Sequence, residues 1–580
     1  MEDKIFIKIS LTLCVILILL FSNHCNASKN SDTFVFATNA TLSTLDPCAA
    51  YDSASFQKIM NIYEPLIFYD GSHIDRFIPV IVQKLPDISA DGKTYIFTIK
   101  KGIKFHNGQN LDPEDVSYSF KRNMIADPAR GPMWMLLEPL TGYKSTRDEN
   151  GKIIPGIFEK INKSICVQDE KIIFNLPKAF PPFLSILVSS ACVTIDKDWA
   201  ILKNCWDGNI QNAKKYNNPK PGHEPLQKIA NGTGAYKLKR WVSSKEFIFE
   251  RFDQYHGLLP KIKQVIIKYV KEWSTRKLML QKGAAHRVTV EHPYFNEVKN
   301  MKGLNIQTIK QLSVSCAFFC QKVDPVANPN IASGKLDGKG IPLDFFSDIN
   351  IRKAFLHAFD REAYKQEVFN NEVYIPTSPN IIGLSFHKEA PIYKFDLNKS
   401  IYYFKKAWNG EIWKKGFSFI IAYNTGNEVR QAAAVMLAEN IMSLNEKFKI
   451  EIRNISWKDY LVKYRSFRFP IFITGWVGDY ADPHNFLTPF MHSRGIYGPL
   501  MGYKNSYVDE LCDAGINTNN FEKRKVIYHK LQDLWYEDAP GILLYQQTNL
   551  RVYRKNVKGY VPNPMLSDAW EDLKKLRIKD

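Results

Sequence analysis

One stretch constrains this chain more than any other: residues 470–490, PIFITGWVGDYADPHNFLTPF. Pro470 to Thr474 is an apolar run of the length of a buried strand. It breaks at Gly475-Trp476-Val477-Gly478-Asp479-Tyr480, and Asp482-Pro483 then turns the chain away. Sheets of α/β proteins take small molecules at the carboxyl ends of their strands. The glycines let backbone approach a guest closely. Trp476 supplies an apolar wall with one N–H, and Asp479 a charge for an ammonium. The plain alternative is a core strand followed by an ordinary Asp/Gly turn. The rest of the chain has to choose.

At 580 residues the chain is too long for one core, so two or three lobes are expected. Its net charge is +19, with lysines spread along the whole length and no block denser than pairs such as Lys100-Lys101 and Lys414-Lys415. Such a balance suits an anionic surface or a general bias better than a nucleic-acid site, and no nucleic-acid partner is expected. Lys4 and Lys8 precede the short apolar run 9–21, and Cys25-Asn26-Ala27 follows. This is the pattern of an export signal cleaved after Ala27, releasing a periplasmic protein. The alternative is a lipid anchor on Cys25. Seven cysteines remain beyond Ala27, an odd number with no CxxC spacing, which argues against a structural zinc site. Cys192 and Cys205 could close a loop in an oxidising space.

Periodicity predicts a strand over 33–38, a helix over 53–63 and strands over 93–100 and 172–176. Asp112-Pro113-Glu114-Asp115 has the marks of a helix start. Gly232-Thr233-Gly234-Ala235-Tyr236 opens a hairpin, and 262–270 is a β-branched central strand. Further on, 311–319 reads as a strand and 348–370 as one long helix. A βαβ unit spans 417–455, a helix 523–537, and two short strands 541–545 and 550–553. His106, alone before Asn107-Gly108, reads as a turn histidine.

Catalytic signatures are missing: no GxSxG, no HExxH, no P-loop, no dinucleotide fingerprint. Asp479 and Asp482 could be offered as a glycosidase pair, but two acids flanking a turn usually make a turn. No cofactor or metal is expected. Plentiful aromatics, 13% of residues, suit a protein that encloses a guest.

Four sets of residues, in order, resemble the extracytoplasmic solute-binding proteins of the peptide and nickel importer family, the dipeptide and oligopeptide receptors of ABC transporters. The first is Tyr63-Glu64-Pro65-Leu66-Ile67 with Asp70-Gly71, then Asp91-Gly92-Lys93-Thr94-Tyr95, Lys101-Gly102-Ile103-Lys104-Phe105-His106-Asn107-Gly108 and Glu114-Asp115-Val116-Ser117-Tyr118. The second is Gly232-Thr233-Gly234-Ala235-Tyr236 with Glu250-Arg251-Phe252-Asp253-Gln254-Tyr255. The third is Ile351-Arg352-Lys353-Ala354-Phe355 leading to Phe359-Asp360-Arg361-Glu362-Ala363. The fourth is Gly475-Trp476 with Gly478-Asp479-Tyr480 and Asp482-Pro483.

The resemblance implies an α/β fold: a two-lobed periplasmic-binding-protein clamp, type II-like, with an additional inserted α+β domain. Lobe I would comprise 28–74, 186–289 and 521–580, the inserted domain 75–185, and lobe II 290–520. It implies a non-enzymatic, monomeric receptor that closes over a peptide and delivers it to an ABC permease. Asp479 would take the peptide α-ammonium, with Trp476, Gly478 and Tyr480 beside it. Trp457, Phe318 and Phe319 would face the same ligand. Where some relatives pair a cysteine at the position of Cys316 with one near the Gly-Asp, this chain has Val477, so that bridge is not implied. A non-peptide solute such as a nickel chelate, haem or sugar is the rival within the family. A secreted hydrolase or a chaperone-like binder are rivals outside it.

Overall fold

The computed structural model describes residues 32–566 and 572–579. The expected signal 1–27 and Cys25 lie outside the described residues. The chain divides into two compact units. The first holds the described residues up to Pro177, then Ile186–Ile309, then those from Leu550 onward; the second holds Lys178–Ser185 and Lys310–Asn549. The crossings at 309/310 and 549/550 fall inside two long strands, Leu304–Phe319 and Gly541–Arg554. The resemblance implies lobe limits at 290 and 520, which differ from these crossings. The helix Phe521–Asp538, expected with the first lobe, is part of the second unit.

The first unit is built on a mixed sheet. Its order is 550–554, Arg287–Val288, Thr33–Thr38, Gln264–Tyr269, Glu246–Arg251 and Tyr236–Val242. Thr33–Thr38 pairs in parallel with Gln264–Tyr269, Val35 opposite Ile266. Val35, Ala37, Leu280, Val288, Phe295 and Val552 form one buried cluster beneath it. Of the 75–185 region, residues 75–177 lie inside this unit and carry their own antiparallel four-stranded sheet, ordered Asp87–Ile88, Thr94–Thr98, Lys171–Asn175, Ile165–Gln168, while Lys178–Ser185 belongs to the second unit. The helix Pro113–Ala126 starts at a capping box: the Asp112 side chain accepts from Asp115 N, and Asp115 accepts from Asp112 N. Arg122 on that helix makes a forked, fully buried ion pair with Asp46.

Motifs scattered through the sequence meet at Glu64, which is 3% exposed. Its carboxylate accepts from Thr233 Oγ1 at 3.0 Å, Tyr255 Oη at 2.8 Å and His256 Nε2 at 2.7 Å. Burial opposes its charge, but these bonds and the nearby Lys574 ammonium hold it below the usual carboxylate range. Gly232 and Gly234 are required where they stand. A Cβ on either would lie 2.3–2.6 Å from the carbonyl oxygen of Ile62.

In the second unit, Ile471–Val477 pairs antiparallel with Leu304–Phe319, whose other neighbour is Gly541–Arg554. Phe417–Asn424 and Phe448–Ile455 form a separate parallel pair joined through the helix Glu428–Met442, as the βαβ pattern predicts. Two expectations are corrected. The long helix over 348–370 is two helices, Ile349–Ala358 and Arg361–Phe369, because Asp360 caps the second by accepting from Ala363 N. The strands expected over 541–545 and 550–553 are one continuous strand, Gly541–Arg554. Arg352 and Arg361 are buried and bind main-chain carbonyls, Arg352 those of Phe346 and Ser347, Arg361 those of Leu543 and Tyr393.

All seven cysteines of the described residues are free thiols, so the loop closure of Cys192 with Cys205 is not made. Cys192 donates to Ile186 O, while Cys205 faces the Arg122 guanidinium. Among the described residues no cluster of ligating side chains is suited to a metal, and no helix is long and apolar enough to cross a membrane.

Candidate functional site

Ile471–Val477 is an edge strand, with Leu304–Phe319 as its one sheet neighbour among the described residues. Its first four residues are buried; then Gly475 and Val477 are exposed and Trp476 is half-buried. The register places Thr474 opposite Cys316 and Trp476 opposite Val314. Ile473 turns its main chain the other way, donating N–H to Tyr460 Oη at 2.7 Å and accepting from the same hydroxyl at 3.0 Å. By the two-residue period of a strand, the main chains of Gly475 and Val477 face outward like that of Ile473. Tyr460 occupies the buried end of this edge. At the exposed end, Tyr497 Oη donates to Gly475 O at 2.8 Å.

Past Val477 the backbone is pinned. Gly478 N donates to Leu312 O at 2.9 Å and Asp479 N to Asn485 Oδ1 at 2.8 Å. Gly478 has no room for a side chain, since a Cβ there would sit 2.7 Å from the Phe486 ring. Asp479 is half-buried at the end of the open edge. Trp476 meets the Tyr497 ring edge-on, with centroids 6.2 Å apart. Its indole N–H is buried without a hydrogen-bond partner among the described residues. Leaving such a donor unmet costs about 1–3 kcal/mol, which an acceptor from a bound molecule would recover.

Trp457, 46% exposed, begins the helix Trp457–Arg465 and stacks on Tyr460 at 5.9 Å, with the Arg430 guanidinium 5.3 Å over its ring. It therefore stands one ring away from the tyrosine that occupies the edge. Asp479, Trp476, Gly478 and Trp457 are thus attached to one strand edge. Phe318, Phe319 and Tyr480 are not at the surface. Phe318 and Phe319 are fully buried, Phe318 stacked on Phe472 at 4.9 Å and Tyr497 at 4.5 Å, Phe319 on Phe346 at 5.0 Å. Tyr480 is buried with its hydroxyl 3.0 Å from His484 Nδ1. Tyr460, Tyr497 and Asn485 carry no sequence signal that singles them out. Only the position of Asn485, just after Asp482-Pro483, hints at a turn ligand.

Asp482 is committed to an ion pair. Both its oxygens accept from Arg524 Nη2 at 2.8 Å, and its Oδ1 also accepts from His484 N. Burial opposes the Arg524 charge, but the Asp482 carboxylate raises its pKa further above the ordinary range. A two-carboxylate hydrolytic site with Asp479 is not assembled here.

Comparison with known proteins extends these observations. Residues 76–498 match the family model described as bacterial extracellular solute-binding proteins, family 5. The chain is similar to the dipeptide-binding protein of Escherichia coli (strain K12), 23% identical over 577 residues covering 94% of this chain and 95% of that protein. It is also similar to heme-binding protein A of Haemophilus influenzae, 22% identical over 559 residues, covering 94% and 92%. Among solved structures it resembles the periplasmic binding protein DppA of Helicobacter pylori in complex with the peptide STSA. There the TM-score is 0.68 at 21% identity, over 94% of this chain and 98% of that one.

Proposed function

The chain belongs to the bacterial extracellular solute-binding proteins, family 5, and from that premise we propose that it captures peptides outside the cytoplasm for an ABC importer. The observation that carries this reading is the open edge at Gly475–Val477, ending at Asp479. An extended peptide added there bonds through its main chain, which makes the binding tolerant of side-chain identity. The Asp479 carboxylate, at the end of this edge, takes the peptide α-ammonium in this reading. The partnerless Trp476 indole N–H supplies one further donor, and Trp457 an exposed aromatic face. Phe318, Phe319 and Tyr480 act as core behind this edge and do not touch the guest. The protein binds and releases without turnover, as a monomer. Its partners are a peptide and the membrane permease. Cleavage after Ala27 frees it into the periplasm, and the intact mass of the secreted protein reads that directly.

The test is calorimetric titration of a short peptide into wild-type and Asp479→Asn protein. A charge-assisted hydrogen bond contributes about 1.5–3 kcal/mol, so the substitution is expected to weaken binding by roughly ten- to a hundredfold. Equal affinities would remove Asp479 from the site. A response to haem or a nickel chelate with none to peptides would keep the family and replace the solute, the outcome to which the heme-binding relative points.

A further inference from the structure

We propose that the second unit carries a basic, aromatic-studded face that docks on an anionic phospholipid surface. The face is built from three segments far apart in sequence, 335–339, 402–415 and 446–449. Together they hold eight lysines against three carboxylates, a surplus of five positive charges, and all eight lysines are exposed.

The segments are joined by direct contacts. Lys447 Nζ donates to Lys414 O at 3.0 Å, and Asn445 Nδ2 donates to Trp413 O at 3.0 Å. Gly338 packs so closely on Lys415 that a Cβ would lie 2.6 Å from its carbonyl oxygen. Glu411 is consumed locally, paired with Lys414 at 3.5 Å and Lys415 at 3.0 Å.

Aromatic rings stand among these cations. Lys406 Nζ lies 4.4 Å from the centroid of Tyr402, which is 51% exposed, and Lys405 Nζ lies 5.1 Å from that of Trp413. Tyr and Trp beside Lys are the residues that settle at a membrane–water boundary. There the ring sits at headgroup depth and the flexible ammonium reaches the phosphates. Charge complementarity selects an anionic bilayer as the occupant, each lysine near such a surface contributing on the order of a fivefold gain in binding. Docking of this kind would hold the receptor at the membrane independently of what solute it carries.

The experiment is sedimentation of the mature protein with vesicles of phosphatidylglycerol or of phosphatidylcholine, at low and at high salt. Binding is expected to phosphatidylglycerol alone and to be lost at high salt. The reversal Lys405→Glu, Lys406→Glu, Lys414→Glu, Lys447→Glu is expected to weaken it by about a hundredfold or more. A control reversal of four exposed lysines of the first unit, Lys163, Lys203, Lys261 and Lys268, is expected to weaken it far less. Any of three results would overturn the proposal: no binding of the wild type to phosphatidylglycerol, equal loss in both reversals, or tighter binding of the face to duplex DNA than to vesicles. The first and third are read on wild-type protein and do not depend on the variants folding.

Discussion

Gly478 fixes the geometry of the candidate site more tightly than any charged group there. With the Phe486 ring 2.7 Å from where a Cβ would be, Gly478→Ala forces the ring or the strand end to move. Overpacking of this kind costs about 1–3 kcal/mol, which urea unfolding will show as a lower midpoint with an unchanged slope. His106 works by a different physics. Its Nε2–H donates to Gly234 O at 2.9 Å, and Nδ1 accepts from Gly232 N at 3.4 Å, so the folded ring is neutral. Burial pushes its pKa down to about 4, against the opposing pull of the Gly234 bond. The unfolded chain therefore binds more protons than the folded one between about pH 6.5 and 4, and stability falls as pH falls through that window. His106→Asn is expected to remove about 1–2 kcal/mol of that acid-side loss; an unchanged pH slope in the variant would refute the account. At this scale the sequence was legible where chemistry is local. The Asp112 cap, the turn at His106 and the Gly475–Gly478 break are all visible as residue types. Tyr460 and Tyr497 were not, because their hydroxyls act on backbone brought near only by folding.

The proposed binding mode rests on the edge strand, whose buried end Tyr460 occupies through its two bonds to Ile473. Tyr460→Phe removes both bonds to Ile473 at a buried site, a cost of about 1–3 kcal/mol. The exposed end is expected to loosen with it, so hydrogen exchange at Ile473 should quicken and peptide affinity fall. Unchanged exchange would show that Leu304–Phe319 alone holds the strand. The Asp482–Arg524 pair ties the turn after the edge to the helix Phe521–Asp538. Asp482→Ala strands a buried guanidinium and is expected to destabilise by about 3–5 kcal/mol. Helix and strand positions follow hydrophobic period closely, as at Thr33–Thr38 and Phe417–Asn424. They fail where period continues across a break in hydrogen bonding, as at Asp360, or where polar Gln546 and Thr548 sit buried inside one unbroken strand.

Over the whole molecule, the lobe limits that the resemblance implies and the division into compact units differ. The chain changes unit in the middle of the strands Leu304–Phe319 and Gly541–Arg554, where no glycine, proline or charge run marks the passage. The lysine face escapes notice for a related reason: no single segment of it is dense, and only contact among three segments makes it so. The family-typical motifs serve largely as internal joints, with Glu64 receiving side chains from 233, 255 and 256. The motif on which the proposed peptide site rests is the one at 475–479. The most direct measurement is titration of one peptide into the mature protein in two forms, with its α-amino group free and with that group acetylated. If the peptide adds to the Gly475–Val477 edge with its ammonium at Asp479, the free form binds at least about tenfold more tightly, and Asp479→Asn abolishes the difference. Equal affinity for both forms would contradict the account.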